Sequence, residues 1–204
     1  MQRRLVALAL VCAAPALAAV PEKGEGTITV FGGLHSVFPR NADYFSDFAG
    51  TSHSQAQFGG LGSFGYQFDE ELHFKIDVGY FPDRYRHTDT DLTITSIPIL
   101  LGLDTKLVNA EKFCLYGGGG IGYMLNTGNR KGSNEANSTA LYLALGLRFQ
   151  LGGPVALVIE DRYLFASAAV DPQDINRSIN VGGNFALLGL MFHFLEPDDH
   201  PQHP

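Results

Sequence analysis

Between residues 57 and 68 the side chains sort into two sets with a period of two. Phe58, Gly60, Gly62, Phe64, Tyr66 and Phe68 fall on one face, and Gln57, Gly59, Leu61, Ser63, Gly65 and Gln67 on the other. An extended strand keeps those sets apart because its successive side chains point to opposite faces, whereas a helix would scatter both around its axis. One face is aromatic; the other is small and polar. After Asp69-Glu70, which reads as a tight turn, Leu72, Phe74, Ile76, Val78 and Tyr80 oppose His73, Lys75, Asp77, Gly79 and Phe81. The ionisable side chains then share a single face.

The alternation recurs over residues 93–103, 113–125, 141–149, 155–165 and 184–194, and more weakly over 27–38. That makes roughly eight strands, each near the ~9–11 residues that cross a membrane when tilted. With 24 Gly and only 17% charged residues the chain is a poor candidate for a helix bundle, and 45% hydrophobic residues are too many for a disordered one. A formal net charge of -7 argues against a nucleic-acid partner.

The connections give an independent signal. Those at 39–54, 82–91, 126–138 and 166–180 are long, and those at 69–70, 104–111 and 152–154 are shorter, in strict alternation. Transmembrane barrels sort their connections in this way, with short turns on the periplasmic side and longer loops outside. In hydrocarbon every backbone amide needs a partner within the protein, so a sheet spans only when closed. The expected fold is therefore all-β, an eight-stranded antiparallel up-and-down transmembrane β-barrel.

Residues 1–19 have the form of a cleaved signal peptide: Arg3 and Arg4, an apolar run, then Ala16-Leu17-Ala18-Ala19. The expected division is signal peptide 1–19, barrel 20–194 and periplasmic tail 195–204. Loss of the two arginines with no acid takes the charge from -7 to -9, and Cys114 becomes the single cysteine, so no internal disulfide is expected. The glycines of residues 116–122 lack the Lys-Ser/Thr of a phosphate loop and read as space for larger lumen side chains.

The inward charges expected in the lumen are His73, Lys75, Asp77, Arg148, Glu160 and Arg162. Arg148 and Glu160 are expected to pair across their hairpin, and the whole set to form a salt-bridged plug. A lipid A-modifying enzyme would need a nucleophile and a base near the outer leaflet. His35-Ser36 and His53-Ser54 supply the residue types, but neighbours on a strand point apart, which leaves only His35 with Ser54. No catalytic residue, cofactor or metal site is assigned. His200 and His203 in the tail read as part of an extended, solvated segment.

The final strand, Leu188-Gly189-Leu190-Met191-Phe192-His193-Phe194, together with residues 116–123, Ser96-Ile97-Pro98 and Glu160-Asp161-Arg162-Tyr163, resembles the small outer-membrane β-barrel family of Gram-negative bacteria, the OmpA/OmpX-like eight-stranded proteins. The resemblance implies residence in the outer membrane among lipid and lipopolysaccharide. It also implies that Gly189, Leu190, Phe192 and Phe194 are an assembly signal for the barrel-assembly machinery. Two features depart from the family pattern. Ten residues follow Phe194, and the parity of Asp161 turns a carboxylate toward lipid, for which a bulge or a position near an interface is the expected explanation. The expected role is that of an envelope barrel whose four long loops serve a structural, adhesive or ligand-binding purpose, with a lipid A-modifying enzyme or a narrow pore as rivals.

Overall fold

The computed structural model describes residue 21 and residues 23–37, 57–87, 90–110, 112–128, 137–169 and 178–194. The expected signal peptide and tail lie outside those residues. Among the described residues nine strands follow in chain order: β1 (Gly26–Val37), β2 (Gln57–Gln67), β3 (Leu72–His87), β4 (Thr90–Asn109), β5 (Phe113–Gly128), β6 (Ser138–Gly152), β7 (Val155–Ala169), β8 (Ser178–Asn180) and β9 (Gly183–Phe194). Each long strand pairs antiparallel with its neighbours, and β9 pairs with both β7 and β1, which closes the sheet. The three-residue β8 pairs only with the outer part of β7. The barrel wall is therefore the eight strands β1 to β7 and β9.

Closure fixes the tilt. One lateral row of paired residues runs through Phe58, Leu34, Ala186, Asp161, Leu145, Gly117, Thr105 and Leu72. Leu72 then bonds Phe68 through its backbone carbonyl, ten residues beyond the start of the row. A stagger of that size over eight strands tilts them about 40° from the barrel axis.

The two faces separate as the alternation requires. Val30, Ile76, Val78, Ile99, Leu101, Ile121, Leu143, Leu145, Ile159 and Leu188 point outward and are exposed, which in water would be a large uncompensated apolar surface. Aromatic rings bound that band at both ends: Phe58, Tyr80, Tyr123 and Phe165 toward the outside, Phe68, Phe113, Phe192 and Phe194 toward the periplasm. With no Trp in the chain, Phe and Tyr form the girdles that mark the membrane interfaces. In the tight turn after β2, the Asp69 carboxylate accepts the Glu71 and Leu72 amides at 2.8 and 2.7 Å, which holds its pKa below the usual carboxylate value.

Three connections differ from the sequence expectation. Residues 82–91 are largely strand: β3 and β4 stay paired out to His87 and Thr90, so this hairpin projects beyond the membrane. At the periplasmic end β4 continues to Asn109, which moves Asp104 from a turn into the wall. Ser178–Asn180, expected within a loop, is paired to β7. Asp161 needs a fourth correction. The β7 ladders are in register on both of its sides, and the β6–β7 irregularity lies at Gln150/Gly152, so no bulge rotates it inward. It is fourth of the eight residues in the row that descends from the outer girdle to the periplasmic turn, which places it midway down the wall.

Glycine inside the lumen stands where a larger neighbour needs the volume. A methyl group on Gly146 would collide with the Tyr116 ring, and one on Gly102 with the Tyr142 hydroxyl. Both tyrosines are fully buried. Gly146→Ala is expected to cost about 1–3 kcal/mol by overpacking, read as a lower urea midpoint for the folded band in lipid vesicles; an unchanged midpoint would show that the ring has room to move.

Candidate functional site

The lumen holds the most concentrated chemistry among the described residues. His73, Lys75 and Asp77 alternate on β3, Asp104 sits on β4, Tyr116 on β5, Tyr142 and Arg148 on β6, and Glu160 and Arg162 on β7. All are buried. Inward parity delivers them, because each lies on the strand face opposite the lipid-facing residues.

Lys75 Nζ lies 3.0 Å from Asp104 Oδ1 and 3.1 Å from Glu160 Oε2. Arg162 donates from Nη1 to Asp77 Oδ2 at 2.7 Å and from Nε to Glu160 Oε1 at 2.8 Å. Arg148 Nη2 donates to Asp104 Oδ2 at 3.0 Å. The Tyr116 hydroxyl donates to Glu160 Oε2 at 2.8 Å. Thr27 Oγ1 and His73 Nε2 are hydrogen-bonded at 3.0 Å, and His73 Nδ1 stands 3.7 Å from Asp104 Oδ2. The Arg148 guanidinium lies 4.0 Å from the Tyr116 ring centre, and that of Arg162 lies 4.5 Å from the Tyr142 ring centre.

Three cations, Lys75, Arg148 and Arg162, thus meet three carboxylates, Asp77, Asp104 and Glu160. This balance matters because a buried charge without a partner is far more costly than a paired one. Direction matters too. The Lys75–Glu160 and Asp77–Arg162 contacts join β3 to β7, which are four strands apart in a ring of eight and so on opposite walls. The side chains cross the lumen rather than line it.

All six expected lumen residues come together in this cluster. The expected Arg148–Glu160 pair does not form. The β6–β7 ladder pivots about Gly153, so Arg148 faces Val158 and Glu160 faces Gly146. Arg148 reaches across to Asp104 instead, a residue that the sequence reading left out of the strand. Its signal was there: Leu101, Leu103 and Leu107 continue the outward set, which makes Asp104 inward. Tyr116 and Tyr142, not singled out from the sequence, share the inward parity and join the charge cluster.

On the outer side of the charges the lumen turns apolar, with Phe81, Leu100, Met124, Leu164 and Phe185 buried there. His35 stacks on Phe185 with ring centres 4.1 Å apart and meets Phe81 edge-on at 5.8 Å. Ser36 points outward, as neighbours on a strand must, and Ser54 lies outside the described residues. Of the residues expected to guide assembly, Leu190, Phe192 and Phe194 face lipid on β9, whereas Gly189 faces inward against Phe31.

Comparison with known proteins follows the same lines. A profile of the outer membrane protein beta-barrel domain matches residues 5–194. Among solved structures, the outer membrane protein OprG from Pseudomonas aeruginosa is similar at a TM-score of 0.64 and 14% identity, covering 88% of this chain and 100% of its own. Neisserial surface protein A is similar at 0.56 and 16% identity, covering 84% and 98%. The attachment invasion locus protein Ail of Yersinia pestis, in complex with the heparin analogue sucrose octasulfate, is similar at 0.52 and 14% identity, covering 84% and 99%. No curated protein matches the chain.

Removing one partner of the cluster is expected to cost more than removing both. Glu160→Met leaves three buried cations facing two carboxylates and lowers stability by about 3–5 kcal/mol, and adding Lys75→Met restores the balance and recovers part of that loss. Urea unfolding of the four proteins in vesicles measures the coupling; strictly additive losses would mean the contact carries no energy.

Proposed function

The chain belongs to the outer membrane protein beta-barrel family, and from that premise we propose that it is a non-conducting outer-membrane anchor whose work is done by the connections it holds at the cell surface. The lumen carries this reading, because side chains from opposite walls are tied together across it by buried ion pairs. An interior filled in this way leaves solute passage no route, and an eight-stranded barrel is narrow enough for side chains to fill. What remains available is the outer rim, where β3 and β4 project and where the strand ends that flank residues 38–56, 129–136 and 170–177 lie.

The charge of those segments narrows the ligand class. Residues 126–138 carry a formal charge of +1, and 39–54, 82–91 and 166–180 carry -1 each, so the rim totals -2. Such a rim does not complement a polysulfate of the kind bound in the Ail structure. Tyr44, Phe45 and Phe48 in the first connection suit stacking on a sugar or an apolar protein surface instead. Export through a cleaved signal, recognition of β9 by the assembly machinery and contact with lipopolysaccharide belong to the same proposal. Catalysis does not: lipid A from cells with and without the gene is expected to have the same mass spectrum.

The test is complementation of a strain lacking the gene. One copy is the full chain; the other has residues 39–54 and 129–136 replaced by short Gly-Ser turns. Both are expected to assemble as heat-modifiable barrels, and only the full chain to restore binding to glycan-coated and protein-coated surfaces. Equal binding by the two would remove the connections from the function.

A further inference from the structure

Asp161 is the one charged side chain on the lipid-facing wall between the aromatic girdles among the described residues. Its side chain is exposed, and no described residue hydrogen-bonds or ion-pairs with its carboxyl group. Its depth decides what could. The row that starts at Phe58 in the outer girdle ends at Leu72 beside the periplasmic turn, and Asp161 is halfway along it. Lipid headgroups, with their amides, hydroxyls, phosphates and bound cations, lie at the girdles, several residues away along the tilted strand. At mid-depth the lipid offers hydrocarbon alone, where a lone carboxyl is left without a hydrogen-bond partner.

Part of the wall on one side of it is low, between the taller Leu34, Leu145 and Leu188. Ala186 is its cross-strand neighbour on β9, and Gly60 and Gly62 point outward further round the same side on β2, with Gly32 of β1 lying under the Phe58 ring. Small outward residues let a second protein wall approach closely in a membrane, where packing and hydrogen bonds replace the hydrophobic effect as the source of association.

We propose that this face is a contact between two copies of the chain, in which the Asp161 carboxyl of one copy hydrogen-bonds the Asp161 carboxyl of the other. Two copies inserted in the same orientation are related by an axis along the membrane normal, so each residue meets the residues of its partner at its own depth. The group that meets Asp161 at mid-depth is then Asp161 itself. A carboxyl group is able both to donate and to accept, and two of them satisfy one another reciprocally in an apolar medium. No outward cation exists between the girdles among the described residues, so a salt bridge between copies is not the alternative.

The contact is tested in native outer membranes by disulfide trapping. Ala186→Cys places a thiol beside Asp161, and Leu101→Cys places one on the opposite wall, on β4; Cys114 is buried and does not compete. Oxidation is expected to give a dimer band from Ala186→Cys and little from Leu101→Cys. Adding Asp161→Leu is expected to reduce the trapped dimer about tenfold, whereas adding Asp161→Asn, whose amide also donates and accepts, preserves it. Equal trapping at both positions, or trapping indifferent to Asp161→Leu, overturns the proposal. So does loss with Asp161→Asn, or a trapped product containing a different protein, because each assigns the face to a cationic or foreign occupant. The unboiled fast-migrating band of every variant reports that the barrel itself has folded.

Discussion

Hydrocarbon contains nothing that bonds a peptide group, and the rest of this structure depends on that single fact. A sheet in lipid has to end on itself, so β9 must find β1. Closing eight strands at the observed stagger sets the tilt and the diameter, and the diameter sets what the interior will hold. The small lumen is then filled by side chains under the usual rule for buried charge, in which cations and carboxylates appear in equal number and touch. Wall, lumen and rim are successive consequences of the same constraint rather than separate designs.

Much of this is legible from residues in order. The alternation through Phe58 to Phe68 fixes both the strand and its lipid face, because an aromatic surface opposite a small polar one has one sensible solvent on each side. The inward charges follow by parity, and all six come together. Pairings between them are not legible, because the chain holds no direct record of which strands face each other across a lumen. Arg148 illustrates this: counting from the turn suggests Glu160, but the ladder pivots at Gly153 and the guanidinium reaches Asp104 on another wall.

The misread boundaries share one cause. Asp104-Thr105-Lys106 and the segment around Pro82 to Asp91 look like turns because polar residues cluster there, yet the β3–β4 backbone ladder runs through both, from Leu72↔Thr105 at one end to His87↔Thr90 at the other. Composition suggested a loop in each place, and the strand prevails because backbone pairing with a neighbour rewards extension whatever the side chains. Asp161 is the converse case. Its outward parity holds in the structure, and neither a bulge nor a position at the membrane–water boundary accounts for it.

The central claim is that ion pairs across the lumen seal the barrel, and the conductance of the purified protein in a planar lipid bilayer tests it most directly. The expected trace is silent at moderate voltage for the native chain, with discrete openings when Lys75 and Glu160 are both replaced by alanine. Steady openings from the native chain would contradict the account, because they would mean that the contacts between β3 and β7 leave a continuous path beside them.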